Sequence, residues 1–448
     1  VDWARAKTAI EKFPNAKKFR DFRVMLDQMK SDIDAVTIST PDHFHAYAAM
    51  ACMQMGKHVY VQKPLTHNIA EARMLTKAAR KYKVVTQMGN QGSSNPLQQV
   101  ASKWFDDGKI GTVHTVNIWT NRPVWPQGIP VPTEKPALID SMSPADWDVW
   151  VGPAQWVDYH PLYHPFKWRG WWNFGTGALG DIGCHTIDSA FRILGLSYPT
   201  EVECSVGAVF IKDWTPEYIP EGCPPSSHVE IKFPATKKNK SAVKMIWMDG
   251  GIRPMHPDLI PANTPISDDG GANGIILTGT KGIMTCGTYG MYPKVFKNGK
   301  RVDEADLPKA SLPRVIGGAG GHNTQWVEAC KAGFGNMEVS SPFDYAGPFT
   351  ESVLMGNLAI RSYMLRKKNE KGGFDFYGRN KLLWNGEDMK ITNFDDANQF
   401  VGRTYREGWK VVDKQKTKET NEKGLKAIEK TIEGEIDYSG LKNLISFQ

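Results

Sequence analysis

Between residues 4 and 92 the apolar positions alternate between helical spacing, with a period of about 3.6, and short β-branched runs. That pattern predicts strands joined by crossover helices in a parallel sheet. Residues 35–40 (AVTIST) read as a strand, Pro41-Asp42 as a loop, and residues 44–55 as a helix that stops at Gly56. The cycle then repeats: a strand at 58–62 (HVYVQ), a loop at Lys63-Pro64, a helix from its N-cap Asn68 to about Lys81, and a strand at 84–88 (VVTQM). After Gly92 the chain changes to longer alternating strands, at 112–120, 201–210, 229–233 and 242–248, separated by aromatic loops and Gly-rich hairpins. Such strands suit an antiparallel sheet with one covered face. The Trp- and Pro-rich stretch 123–174 reads as a long ordered loop, a class that is often functional. The predicted organisation is α/β: a parallel-sheet domain over 1–92, an α+β domain with a large open, mainly antiparallel sheet over 93–410, and a Lys/Glu-rich polar tail over 411–448 with no assigned role.

Composition narrows the function classes. A chain of 448 residues exceeds what one core usually serves, and 41% hydrophobic with 23% charged residues is ordinary for a globular protein. The net charge of +7 comes from scattered lysines, not from a basic stripe, so nucleic acid is not expected as a partner. Six cysteines form no Cys-x-x-Cys pair, and no apolar run approaches the ~20 residues that cross a bilayer.

Ligands of open parallel sheets bind beyond the carboxyl ends of the strands. Three segments fall there: residues 40–45 (TPDHFH), Gln62-Lys63-Pro64, and Gly89-Asn90-Gln91. A lysine at a strand end can hold an ammonium over a cofactor and polarise a hydroxyl, although spacing alone fits a solvated loop lysine equally well. The densest stretch is 167–188 (KWRGWWNFGTGALGDIGCHTID). If it turns helical near Gly180, Asp181 and His185 share a face, which suits acid/base work on an alcohol. A helix-start carboxylate beside a buried, satisfied histidine fits the same spacing. Adding Cys184 or His164 as metal ligands matches no standard zinc pattern, and no metal is expected. Gly175, Gly177 and Gly180 match G-x-G-x-x-G, but WRGWWNF before them is not the aliphatic strand that a phosphate loop requires. Trp168, Trp171 and Trp172, like Trp119 and Trp125, offer faces for a sugar ring or simply core; their density beside Arg169, Asp181 and His185 favours a ligand site.

Together these motifs resemble the glucose-fructose oxidoreductase, inositol dehydrogenase and MocA family, written Gfo/Idh/MocA. The carriers are TPDHFHAYAAMACMQMGKHVYVQKPLTHNIAEA, GALGDIGCHTID, and GPFTESVLMGNLAIR with YREGW, which are similar to the closing segments of a longer bacterial branch whose members are often exported. The resemblance implies a Rossmann-type first domain, NAD or NADP as cofactor, and hydride transfer to or from a secondary alcohol of a sugar or sugar derivative. It implies that Lys63 assists proton transfer at the nicotinamide, that His185 is the general base and that Asp181 orients it or binds substrate. Thr40, Pro41, His45, Gln62, Lys63, Asn90 and Gln91 would line the cofactor. Trp168, Arg169, Trp171, Trp172, Asp181 and His185 would face the sugar. A homodimer or homotetramer through the second sheet is implied, in a bacterial cytoplasm or periplasm.

Two departures qualify the resemblance. Gln62 stands where the family's Glu-Lys-Pro triplet has glutamate, removing a charge beside Lys63. The family's opening strand, glycine loop, first helix and second strand have no counterpart here, so about 35 or more residues are expected to precede Val1, since that βαβ unit spans roughly 30. Two other readings keep the likeness: an NAD-dependent glycosidase working by transient oxidation and elimination, and a cofactor-free carbohydrate-binding protein.

Overall fold

The computed structural model describes residues 1–267, 271–307 and 315–409; the predicted tail 411–448 lies outside the described residues. Helices α1 (Trp3–Lys12) and α2 (Phe22–Met29) come first, each N-capped by an aspartate, Asp2 and Asp21, whose carboxylate accepts from a first-turn amide. Then follow β1 (Ala35–Ile38), α3 (Asp42–Gln54), β2 (His58–Gln62), α4 (Ile69–Tyr82) and β3 (Thr86–Gly89). The three strands form a parallel sheet in the order β1-β2-β3, with Ala35 opposite His58 and Val59 opposite Thr86. Alpha-helical crossovers make this arrangement possible, because parallel neighbours cannot be joined by a tight turn. Asn68 caps α4 by accepting from the Glu71 amide, and α4 buries Ile69, Ala72, Leu75 and Ala79 at helical spacing.

After α5 (Pro96–Asp106), the second sheet is built from β4 (Val113–Trp119), β5 (Glu201–Val206), β6 (Ser227–Phe233), β7 (Val243–Met248), β8 (Gly274–Gly279), β9 (Gly282–Cys286), β10 (Lys294–Lys297), β11 (Lys300–Arg301), β12 (Leu382–Asn385) and β13 (Lys390–Ile391). Its ten strands run in the order β11-β10-β9-β8-β4-β7-β6-β5-β12-β13, and only β4 and β7 pair parallel. One face is covered by α7 (Gly177–Leu194) and α9 (Phe343–Tyr363). Val229, Ile231 and Phe233 of β6 point into that core and are fully buried, while Glu230 and Lys232 alternate outward. The outward face carries cross-strand ion pairs, Lys232 with Glu201, Lys244 with Glu230 and Lys381 with Glu203. Helix α9 also packs on α4, so it joins the two sheets.

Three expectations need correction. The stretch 123–174 is not one loop: it contains α6 (Pro144–Val151), started by a capping box between Ser143 and Asp146 with Pro144 in the first turn. Proline density suggested a loop, yet proline is favoured at that helical position. The strand expected at 201–210 ends at Val206, and residues 210–212 pair with 215–216 in a separate two-stranded ribbon. The third parallel strand begins at Thr86, two residues late, because Lys83 turns left-handed to close α4.

Candidate active site

Lysine 63 sits where the chain leaves β2. Its Nζ donates to the Asp181 carboxylate at 2.6 Å and to the Asp181 carbonyl at 2.7 Å, so a side chain from the parallel sheet lands on the helix that covers the second sheet. Both side chains keep 16% of their surface, enough for a ligand to reach them. Because α7 starts at Gly177, Asp181 lies in its second turn, outside the reach of the helix-start dipole, and His185 follows one turn later on the same face. Lys63 therefore meets the His185 face directly, and the solvated-loop alternative does not describe it.

The charges of this cluster constrain one another. Burial alone would raise the Asp181 pKa, but the Lys63 ammonium, its hydrogen bond, and the Arg169 guanidinium 3.5 Å away hold it below the usual carboxylate range. Burial first, and the Lys63 charge second, push the His185 imidazole down to about 3, although Asp181 pulls the other way. The imidazole is thus neutral near pH 7. Its Nδ1 is buried with no hydrogen-bond partner, so it is not a satisfied core histidine.

Two residues that sequence patterns did not single out complete the cluster. Asp42, at the start of α3, is 5% exposed and accepts from the Thr176 hydroxyl at 2.6 Å. Burial pushes its carboxyl up to about 6, against Thr176, Arg169 and Lys63. Tyr289 lays its ring edge-on to His185 with centroids 4.9 Å apart, and its backbone is left-handed at φ 64°. A non-glycine residue held there is strained, and such strain gathers at ligand sites. Gly92 makes room for it, since a Cβ at that position would collide with the Tyr289 ring. The signal available in the sequence was the TYG triplet between two strands, which names a tight turn but not what the turn presses against.

The remaining expected residues are placed unevenly. Thr40 is exposed and Pro41 half-buried at the carboxyl end of β1. His45 is buried with Nδ1 2.7 Å from the Pro64 carbonyl and Nε2 2.8 Å from the Thr40 carbonyl, so it braces the two loops and leaves no nitrogen for a ligand. The Gln62 side chain packs over Gly89, where a Cβ would lie 2.6 Å from its Oε1. Gln91 donates to the Tyr60 hydroxyl at 3.1 Å, while Asn90 is buried and donates to Asp188 of α7 at 3.1 Å. Arg169 lies over the Trp168 ring at 4.2 Å and faces Asp181. Trp168, Trp171 and Trp172 are all nearly buried; Trp171 and Trp172 wall a cavity that contains none of Lys63, Asp181 or His185. Cys184 is buried in the core, and His164 pairs with Asp2 at 3.4 Å.

A nicotinamide group fits the residues present. Strand ends β1 and β2 converge on a lysine, an unpartnered imidazole nitrogen and a charged pair, and Asn90 keeps a buried Oδ1 without a partner. Among the described residues the Gly175–Gly180 triplet is not a phosphate cradle: Gly175 is small because Arg169 backbone lies 2.5 Å from where its Cβ would be, and Gly180 because the Thr176 side chain would collide with a Cβ there.

Comparison with known proteins agrees with this architecture. The model of an oxidoreductase family with an NAD-binding Rossmann fold, GFO_IDH_MocA, matches residues 2–90, and the C-terminal alpha/beta domain of the same family matches 134–211. Levoglucosan dehydrogenase of Pseudarthrobacter phenanthrenivorans is 26% identical over 212 residues, 47% of this chain and 44% of that protein. The NADP-dependent scyllo-inositol 2-dehydrogenase of Bacillus subtilis is 24% identical over 208 residues, 46% of each. The matched stretch thus spans less than half the length of these relatives. Among solved structures, levoglucosan dehydrogenase with NADH and L-sorbose superposes with a TM-score of 0.50 at 19% identity, covering 83% of this chain and 86% of that one. The aldose-aldose oxidoreductase of Caulobacter crescentus gives 0.50 at 15% identity, covering 80% and 87%. These likenesses speak to the fold. Both domain models of the Gfo/Idh/MocA oxidoreductase family thus match in order along this one chain.

Proposed function

We infer that the protein is an NAD(P)-dependent oxidoreductase that moves hydride between the nicotinamide and a secondary alcohol of a sugar or sugar derivative. The observation that carries this reading is the contact of Lys63 with Asp181, one helical turn from an unpartnered His185. When bound, the nicotinamide supplies the acceptor for the hydride on the carbinol carbon. The chain's own part is proton and charge control. His185, kept neutral by burial, has a free ring nitrogen to offer the hydroxyl proton, and Asp181 one turn away favours its protonated form. The Lys63 ammonium, held by Asp181, stabilises the developing alkoxide, and it does so in a site where few waters compete. Arg169 and Asp42 set the field around that pair.

The relatives' names support a sugar or polyol as substrate: levoglucosan, scyllo-inositol and aldose all carry secondary alcohols. Subunits pairing across the second sheet would meet through its Glu/Lys ladder, and salt-dependent association is the form that such a contact would take.

Lys63→Ala tests the mechanism. It should lower kcat for sugar oxidation by about 10²–10⁴-fold while leaving the sugar KM within a few-fold, the mark of a group used in the transition state. Steady-state NAD(P)H formation over a panel of aldoses and inositols reads this out. Unchanged kcat in the variant would remove Lys63 from the reaction.

A further inference from the structure

A cavity of about 540 Å³ opens between the aromatic segment 154–174 and the closing segment 399–404, and neither Lys63, Asp181 nor His185 lines it. Arg361, in the last turn of α9, stands 4.4 Å from the Phe400 ring centroid and 5.8 Å from that of Trp172, and makes no hydrogen bond or ion pair with a described residue. Arg403 gives Nε and one terminal nitrogen to Glu71 and the His43 carbonyl, while its other terminal nitrogen is buried without a partner. His67 is 8% exposed and neither ring nitrogen makes a hydrogen bond; the Trp172 backbone beside it offers none of proper geometry. A buried guanidinium with no counter-charge is costly, and Arg361 shows that strain as a pKa pushed down to about 10 by burial. Arg361 lines the cavity with no described partner for its guanidinium, and the unpartnered nitrogens of Arg403 and His67 lie buried in the wall behind it, so this side of the space calls for a ligand that brings acceptors.

The rest of the wall says which kind. Trp171 and Trp172 are flat and apolar, and the Glu221 carboxylate also lines the space, ready to accept from hydroxyls and set against a dianion. The volume exceeds what a lone ion fills and lies within the ~300–1,000 Å³ of small-molecule pockets. We propose that this cavity is a second ligand site, distinct from the hydride-transfer centre, which binds a small polyhydroxy carboxylate such as a uronate or aldonate. Its carboxylate takes the Arg361 guanidinium on the side of the cavity where Arg403 adds positive charge, and its carbinol carbons lie against the indoles with hydroxyls toward Glu221.

The test is calorimetric titration of the full chain, without cofactor, using D-glucuronate, D-glucose and inorganic phosphate as probes. Glucuronate should bind at least about tenfold more tightly than either of the others, since a bidentate arginine contact is worth more than the ~1.4 kcal/mol of one decade. Arg361→Gln should weaken glucuronate about tenfold or more, and Arg361→Lys, which keeps the charge but not the fork, should weaken it less. Arg361→Gln should at the same time leave kcat and KM for sugar oxidation within a few-fold, which separates this site from the reaction centre. Equal binding of glucose or phosphate, no binding of glucuronate, or glucuronate affinity unchanged in both Arg361 variants would each overturn the proposal.

Discussion

Asp42 is a buried carboxyl whose charge its neighbours contest. Burial favours the neutral acid, Thr176, Arg169 and Lys63 favour the anion, and the outcome is a pKa of about 6. Above that pH it adds a negative charge facing the Lys63 ammonium, which partly cancels the field that stabilises an alkoxide there. We expect this ionisation to lower kcat/KM for sugar oxidation as pH rises through about 6, and Asp42→Asn to remove that inflection while the protein stays folded, because the amide oxygen can still accept from Thr176. Rates between pH 4.5 and 8 decide it; an inflection that survives in the variant belongs to another group. At this scale Lys63, Asp181 and His185 were legible, since a strand-end lysine and an i, i+4 pair are local patterns. Asp42, Tyr289 and Arg361 were not. Each acquires its meaning from a partner more than 100 residues away in the chain, or from lacking one, and no periodicity reports that.

At the scale of elements, the junction between the two sheets depends on the contact of α4 with α9. Gly347 lets the helices close on Thr76, where a Cβ would collide with the hydroxyl. Four residues on, Glu351 is 1% exposed and takes a bidentate pair from Arg73 at 2.8 and 3.0 Å, with a third hydrogen bond from the Trp384 indole at 3.2 Å. Burial still raises the Glu351 pKa against that support. Removing Arg73 would leave a buried carboxylate without its cation, so Arg73→Ala should cost about 3–5 kcal/mol, and adding Glu351→Gln should recover part of it. Urea denaturation of the single and double variants measures both; a loss under about 1 kcal/mol would show that the pair is not what holds the sheets together. The helices themselves were readable from Asn68 and the apolar spacing of α4, and the parallel strands from their β-branched runs. Their pairing was not, because the α4–α9 contact joins segments nearly 280 residues apart. Helix α6 was hidden by its prolines for the opposite reason: the decisive capping contacts are local, but the surrounding composition resembles a loop.

Over the whole molecule, buried titratable groups set a balance that one pH scan can read. Burial lowers His43 and His185 to about 3 and His164 to about 4, and also lowers His45, His58 and His67, all from the usual imidazole value of about 6.5. The unfolded chain takes up a proton at each of these as pH falls below 6.5, while the folded chain does not, so their contribution to stability is lost on acidification. Asp42 and Asp249, pushed up to about 6, and Glu351, also raised, work in the opposite sense: the folded chain binds their protons first, and their contribution grows as pH falls below 6. The six lowered histidines outnumber the three raised carboxyls, so the unfolded chain carries the extra protons near pH 5 and stability falls as pH drops there. Urea midpoints at pH 7, 6 and 5 should therefore fall at each step. A flat profile would mean that some of these imidazoles are charged in the folded state. His45 would be the first suspect, since both its nitrogens face carbonyl oxygens and a neutral ring can donate to only one of them.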